Sequence, residues 1–299
     1  MPRKLQDSPE LLAKLKDIDI LYTDIDGTLL GRHACLLVDG ESNPSIETAA
    51  TVVRANRADF KIVPVSGRSR IQLTEIVRLC GWNDFIGEAG SMRSYWNGTW
   101  RENIYETPMW PEEIQQQMVE EGLTPLELIR RSGALAALKE AFPGRIEHHD
   151  PWHLSRETTD VLRGYIDTEK AQRILNELPI AISIIENGVI RPPKHTLTPT
   201  YELIRAYHLA PSGTSKSRAI AADLERRRIP ASRAAMIGDG PADLQTAAEL
   251  GLMVLVENAL QSPGIEPLIE GSPNAAIIDG FRGSGWSKFV NRLMDAKGL

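Results

Sequence analysis

The stretch from Asp17 to Arg32, DIDILYTDIDGTLLGR, leaves few folds open to this chain. Ile18, Ile20 and the run from Leu21 to Thr23 form an apolar, β-branched segment that stops at acids, as a buried parallel strand does when it leaves its sheet. Asp24 and Asp26 stand at that exit. In an extended chain, side chains two apart share a face and lie roughly 6.5 Å apart, so both carboxylates would converge on one small ligand above the carboxyl edge of a sheet. Two unit charges drawn to ~4 Å repel by ~4 kcal/mol at an effective dielectric of about 20, so such a pair holds a cation or keeps a proton. Gly27 and Thr28 follow, and a residue without a side chain lets backbone N–H groups approach an anion closely. The plain alternative is an acidic strand-to-turn junction, because Asp-Gly is also a turn signal. A calcium loop of the EF-hand type fits less well. Counting from Asp24, the sixth position is Leu29 rather than Gly and the twelfth is Cys35 rather than Glu.

The rest of the chain repeats this theme at both ends. A short helix is expected over Ser8 to Leu15, a polar loop from Gly31 to Asn43, and a helix from Pro44 to Arg57 with Ser42 or Asn43 as cap. FKIVPV, Phe60 to Val65, is a second strand. It ends in Ser66-Gly67-Arg68-Ser69 before a helix from Ser69 to Leu79. Free N–H groups and a positive helix end meet there, which suits an anion as well as it suits a plain capped turn. Phe85 to Gly87 is a short strand, and Met92 to Asn103 spells a hairpin through Asn97-Gly98. Asn97-Gly98-Thr99 also matches a glycosylation sequon; the hairpin turn is the better reading.

After Pro108 the pattern changes. Helices are expected over Glu112 to Glu121 and Pro125 to Ala141, then a strand over Asp160 to Ile166 and a helix over Thr168 to Leu178. A strand from Ile180 to Ile185 turns at Asn187-Gly188 into Val189 to Arg191, and the Pro-rich segment from Pro192 to Pro211 holds a last strand around Ala206 to Leu209. Such a unit builds a small antiparallel sheet with helices on one face. From Gly213 the alternation resumes with a helix over Ser215 to Arg227 carrying Lys216 in its first turn, and a strand over Ala234 to Ile237 ending in Gly238-Asp239-Gly240. A helix from Pro241 to Leu250 opens with Asp243; strands over Leu252 to Val256 and Ala275 to Ile278 and a helix over Gly285 to Met294 complete the chain. The class is α/β: a doubly wound, Rossmann-like parallel sheet interrupted by an inserted α/β domain.

Several partners are excluded by charge and composition. A formal charge of −6 argues against nucleic acid or an anionic membrane surface, either of which favours a basic face. With only Cys35 and Cys80 there is no disulfide framework. The first residues, MPRKLQDSPELLAKL, lack the apolar core of a signal peptide, and no apolar run reaches the roughly 18 residues of a membrane span. A cytoplasmic protein is expected. Whether it forms a homodimer is open.

In a doubly wound sheet the strand ends and helix starts face one crevice, so Asp24, Asp26, Ser66, Lys216, Asp239 and Asp243 would meet there. Each alone has an ordinary reading: Lys216 as a surface helix lysine, Asp239 and Asp243 as acids near a helix start. Four acids, one lysine and one Ser-Gly turn together make a divalent-metal and phosphate site, and carboxylates with water suit Mg²⁺. Two other patterns fail. Gly213-Thr214-Ser215-Lys216-Ser217 lacks the glycine that a Walker loop places before its lysine. The run from His148 to His153 has a proline at 151, which forbids a regular helix presenting His149 and His153 to zinc; a polar loop whose rings touch a sugar is the alternative.

These residues resemble the haloacid dehalogenase superfamily of phosphohydrolases, with TDIDGTLLG, VPVSGR, GTSKSRAI and IGDGPADLQTA in the family's order along nearly the whole chain. The long insertion between Ser66 and Lys216 resembles the subgroup with an α/β cap in that place, the Cof-like and sugar-phosphate phosphatases. The implied division is a catalytic core over 1–107 and 213–299 and a substrate-selecting cap over 108–212. The resemblance implies that Asp24 attacks phosphorus to form an aspartyl-phosphate, and that Asp26 protonates the leaving oxygen and then activates water. It implies Mg²⁺ on the Asp24 carboxylate, the Asp26 backbone carbonyl and Asp239, with Asp243 direct or through water. Ser66, the Gly67 N–H and Lys216 would hold the phosphoryl oxygens.

Asp26 points away from dehalogenases, which lack an acid there. The expected activity is therefore that of a Mg²⁺-dependent phosphatase of a small phosphorylated metabolite, with a sugar phosphate as the expected class. A phosphomutase and a non-catalytic phosphometabolite-binding protein are the alternatives. Two positions depart from the family pattern: Ala242 stands where many capped relatives carry Asn, and Ala89 where they often carry the Asn of Glu-Asn-Gly.

Overall fold

Ile20, Leu21, Tyr22 and Thr23 are all fully buried, and they make the central strand β1 (Ile20–Thr23) of a parallel sheet. The fold, seen in a computed structural model, is described for residues 2–190, 197 and 203–299. It divides into two compact units. One comprises Met1–Gly67, Leu73–Glu102 and Lys216–Leu299; the other comprises Arg68–Gln72 and Asn103–Ser215.

In the first unit β1 is followed by α2 (Glu47–Arg57), β2 (Lys61–Pro64), most of α3 (Arg70–Cys80), β3 (Phe85–Gly87), β4 (Met92–Trp96) and the start of β5 (Arg101–Tyr105), after a short α1 (Pro9–Leu12). The chain returns to it with α8 (Lys216–Arg227), β10 (Ala234–Gly238), α9 (Pro241–Leu244), β11 (Leu252–Val256), α10 (Ile265–Glu270), β12 (Ala275–Ile278) and α11 (Arg282–Lys297). The sheet order is β12-β11-β10-β1-β2, and all neighbours are parallel. Alternate residues of β1 enter different cores, as strand geometry requires. Leu21 packs with Val52 of α2, Val77 of α3 and Trp286 and Phe289 of α11. Ile20 and Tyr22 pack with Ala219, Ile220 and Leu224 of α8 and Ile265 of α10. Helices thus cover both faces, and the expected doubly wound α/β class is the one found. β3, β4 and β5 form a separate sheet in that order.

The second unit holds α4 (Glu112–Glu120), α5 (Pro125–Arg131), α6 (Ala134–Ala141), β6 (Ile146–His148), β7 (Asp160–Gly164), α7 (Thr168–Leu175), β8 (Ile182–Ile190) and β9 (Ile204–Pro211). Its sheet runs β6-β7-β9-β8 with antiparallel pairing throughout. Leu128, Ile129, Leu138 and Leu175 from its helices pack on Leu162, Tyr207 and Leu209.

Several local expectations need correction. The helix expected from Pro44 begins at Glu47, because Val38 and Pro44 bridge and hold the proline in the loop; Ser45 Oγ accepts the Glu47 N–H at 3.2 Å. The single helix expected over Pro125 to Ala141 is two, broken where Gly133 takes φ +81°. α5 starts on a capping box in which Glu127 and Thr124 bond reciprocally. The turn expected at Asn187-Gly188 is a bulge instead: β8 stays paired to β9 on both sides, with a register shift between Glu186 and Val189. The helix expected over Pro241 to Leu250 tightens after Leu244 into a 3₁₀ turn, Gln245–Glu249, and the leading helix shrinks to Pro9–Leu12. β6 and α10 are additions. Arg191, and most of the Pro-rich segment from Pro192 up to residue 202, fall outside the described residues.

β6 takes His148 out of the expected loop. His148 Nε2 lies 3.2 Å from Asp160 Oδ2, and its ring stacks on His153 with centroids 4.5 Å apart. The chain does turn here despite Pro151, since His153 N–H donates to the His149 carbonyl at 3.0 Å. His208 of β9 is 2% exposed, with Asn187 Nδ2 3.1 Å from its Nε2. The Nδ1 atoms of His149, His153 and His208 are buried and have no hydrogen-bond partner among the described residues. Among those residues, no helix is long and apolar enough to cross a membrane.

Candidate active site

Because β1, β2 and β10 are parallel, the loops after them leave one edge of the sheet, and this is where the first unit collects its acids. Asp24 follows β1 directly; its N–H donates to the Ile237 carbonyl at 2.9 Å, so the ladder with β10 continues one residue past the strand. The backbone there is held from the side as well. Trp286 Nε1–H donates to Thr23 Oγ1 (3.0 Å), and that hydroxyl donates to the Asp24 carbonyl (2.8 Å).

Lys216, the first residue of α8, places Nζ 2.7 Å from Asp24 Oδ1 and 2.7 Å from Asp243 Oδ1. Asp243 Oδ2 accepts the N–H groups of Asp239 (3.0 Å) and Gly240 (3.1 Å), so this acid also shapes the turn after β10. Asp239 Oδ2 accepts from Asn258 Nδ2 at 3.1 Å; Asn258 Nδ2 also donates to the Gly27 carbonyl (3.0 Å), and its Oδ1 accepts the Arg282 N–H (2.8 Å). Gly27 has φ +82°, and a Cβ built on it would land on Asp239 Oδ2. Its glycine therefore serves the close approach of two loops, in addition to the sharp turn closed by Leu30 N–H on the Ile25 carbonyl (2.8 Å).

Asp24, Asp239 and Asp243 each present a carboxylate oxygen within 4.8 Å of the others. At that spacing each pair of charges repels by roughly 3.5 kcal/mol at an effective dielectric of about 20, and one lysine cannot balance three acids. The titration behaviour follows. Burial raises the Asp24 carboxyl well above the usual range; Lys216 pulls it back, and the charges of Asp243 and Asp239 push it up again. Asp239 is pushed up to about 7 by burial and then by Asp243. Lys216 moves the other way: burial would lower it, but Asp24 and Asp243 hold it above its ordinary value. Two ion pairs thus stabilise the lysine's charge, while Asp24 has only a share of that lysine, because the negative charge is in surplus. A hard divalent cation among these oxygens fits that surplus.

The structure brings Asp24, Lys216, Asp239 and Asp243 together. It leaves the Asp26 carboxylate out of the group. β1 ends at Thr23, so strand alternation no longer governs position 26; Asp26 is exposed and bridges Leu30 through its backbone, although its charge reaches Asp239. Ser66 is buried after β2, its N–H on the Ile86 carbonyl (3.0 Å) and its own carbonyl accepting from Ala89 N–H (3.1 Å), with Gly67 next to it. Glu88 and Ala89 beside it both have left-handed backbones, φ +49° and +61°. Sequence reasoning missed Asn258. The signal available was a polar Glu257-Asn258 pair straight after the apolar strand β11.

A family model described as haloacid dehalogenase-like hydrolase matches residues 21–262. None of the curated proteins compared with the chain matches it. Among solved structures, a Thermoplasma acidophilum protein is similar at TM-score 0.59 and 15% identity over 92% of this chain and 98% of its own. A haloacid dehalogenase-like hydrolase from Bacteroides thetaiotaomicron has TM-score 0.55 and 18% identity over 92% of this chain and 99% of its own. The sucrose-phosphatase of Synechocystis sp., solved with sucrose and phosphate, has TM-score 0.59 and 13% identity over 93% of this chain and 98% of its own. At such identities these likenesses speak for the fold.

Proposed function

Since the chain belongs to the haloacid dehalogenase-like hydrolases, we propose that it is a Mg²⁺-dependent phosphatase of a small phosphorylated metabolite, with a sugar phosphate as the preferred class. The observation that carries this reading is the convergence of the buried Asp24 and Asp243 carboxylates and the half-buried Asp239 with Lys216, in which Asp24 is held by a 2.7 Å bond. Asp24 is the nucleophile: its carboxylate oxygen attacks phosphorus, the bond to the leaving alkoxide breaks, and an aspartyl-phosphate is left for water to hydrolyse. The reaction divides a very slow hydrolysis into two easier steps.

Asp26, exposed at the mouth of the loop, gives its proton to the leaving oxygen in the first step and takes one from water in the second. Lys216 keeps Asp24 oriented and, with Ser66 and the Gly67 N–H, stabilises charge on the phosphoryl oxygens. Asp24, the Asp26 carbonyl, Asp239 and Asp243 would hold Mg²⁺. When bound, the ion supplies Lewis-acid stabilisation of the phosphoryl charge and offsets the repulsion among the acids. The segment over 108–212 is proposed as the substrate-selecting cap. The sugar-phosphate class is supported by the fold shared with the Synechocystis sucrose-phosphatase. Release of phosphate from an aryl phosphate in Mg²⁺, its loss in Asp24→Asn, and a turnover screen over phosphorylated sugars, glycerates and nucleotides test the reading. No turnover by the wild type across that screen would sink it.

A further inference from the structure

Asp223 lies on the stripe of α8 that packs against β1, between Ala219, Ile220 and Leu224, and it is 1% exposed. A carboxylate in the middle of an apolar interface is costly unless it is bonded, and this one is. Its Oδ2 accepts the Tyr22 hydroxyl at 2.7 Å and Arg227 Nε–H at 2.7 Å. The Arg227 guanidinium is shared with Asp84 Oδ2 (2.7 Å), and the Tyr95 ring lies beneath it at 5.5 Å from Cζ to centroid. Asp223 thus has both a neutral donor and a shared guanidinium within the first unit. Burial first, then the neighbouring Asp223 charge, raise the Tyr22 phenol above its ordinary value, so it remains a donor.

The placement of this pair along the two elements is what gives it a role. Tyr22 and Asp24 are two apart in an extended chain and share a face; Lys216 and Asp223 are seven apart on a helix and share a stripe. α8 therefore touches β1 through two polar bonds, Lys216 to Asp24 past the strand's carboxyl end and Asp223 to Tyr22 two residues earlier. The helical separation is ~10.5 Å and the strand separation ~6.6 Å, a mismatch the long tyrosine and lysine side chains span. A slide of α8 by one residue's rise, ~1.5 Å, stretches a 2.7 Å bond lying across it to ~3.1 Å, so both bonds weaken together. The apolar contacts of Ala219 and Leu224 hold the helix on the strand, and the two hydrogen bonds add the direction that dispersion contacts lack.

We infer that the Tyr22 hydroxyl and the Asp223 carboxylate are a positioning pair that fixes the register of α8 on β1 and so holds Lys216 against Asp24. The inference rests on the roles of Asp24 and Lys216 proposed above. It acts through Lys216, not on substrate.

A double-mutant cycle separates it from a merely structural hydrogen bond. Tyr22→Phe, Lys216→Gln and the double variant are assayed with an aryl phosphate in saturating Mg²⁺, well below the melting temperature of each. Tyr22→Phe is expected to lower kcat about 3- to 10-fold with KM unchanged, and Lys216→Gln at least about 100-fold. The double variant is expected to match Lys216→Gln within about twofold, since a lysine that is absent cannot be mispositioned. If Tyr22→Phe changes only the melting temperature or KM, or lowers kcat by the same factor in both backgrounds, the positioning role is overturned while the reading of the site stands. Full activity in Lys216→Gln overturns the proposed role of Lys216 itself.

Discussion

Each unit buries a cluster of titratable groups, and the two clusters resolve their charge in opposite ways. In the first unit, three carboxylates and one lysine leave negative charge in surplus; Asp24 and Asp239 are both raised by burial and by each other's neighbours. In the second unit, His208 is lowered well below the ordinary imidazole range by burial and by Arg156, and His149 is lowered by burial and by Arg163 and Arg156. The acids cannot all ionise without a cation; the imidazoles stay neutral and need none. A cluster poised to bind and a cluster that merely packs are thus told apart by what relieves them.

The sharpest break comes at Asp24. Asp24→Asn is expected to lower kcat by about a thousandfold or more while raising the melting temperature of the metal-free protein, because it removes one of three repelling charges. Phosphate release and differential scanning calorimetry in EDTA check the two signs; a lower melting temperature would argue against a charge surplus. Asn258→Ala comes next. Asn258 orients Asp239 from outside the acid group, and loss of such an orienting partner is expected to weaken Mg²⁺ affinity about 10- to 100-fold. Titrating activity against Mg²⁺ shows whether saturating metal restores kcat, as that role requires.

The pH dependence sharpens the same contrast. Asp239, raised to about 7 in the folded metal-free protein, contributes stability that is full below the usual carboxylate range and lost as pH rises through about 7. His208 does the reverse: its folded value is depressed, so its contribution is present above the ordinary imidazole value of 6.5 and lost as pH falls below it. Replacing His208 with Phe is expected to flatten the acid-side loss in a melting series from pH 7 to pH 5 in saturating Mg²⁺, and an unchanged slope would contradict it. The smallest effect belongs to Ala89. With φ +61° it occupies a backbone that Asn tolerates better than Ala, so Ala89→Asn is expected to raise stability by about 0.5–1 kcal/mol in urea unfolding. The departure from the family's Glu-Asn-Gly thus falls on a strained backbone position. Ala242 is exposed on α9, and nothing around it in the structure explains why it stands in place of Asn.

Local order in the chain accounts for much of this architecture. Short apolar runs that end at Asp24, Ser66 and Asp239 could be read as parallel strands, and parallel strands release those residues at one edge whatever the loops between them do. Elements governed by periodicity alone, such as α8 and β11, were legible for that reason. Elements decided by contacts were not. Pro44 was drawn out of α2 by its bridge to Val38, and Asn187-Gly188 became a bulge because β9 pairs with β8 on both sides of it.

By itself the sequence determined that an α/β sheet would gather acids and a lysine at its carboxyl edge, because strand period and residue type are properties of neighbours in the chain. Only the tertiary structure decided which of them meet. Lys216 bonds to Asp24 across 192 residues, Asn258 reaches Asp239 and Gly27 from a third loop, and Asp26 keeps its carboxylate outside the group although it is two residues from Asp24. Hydrogen-bond geometry tolerates only tenths of an ångström, and that precision comes from packing helices such as α8 onto both faces of the sheet.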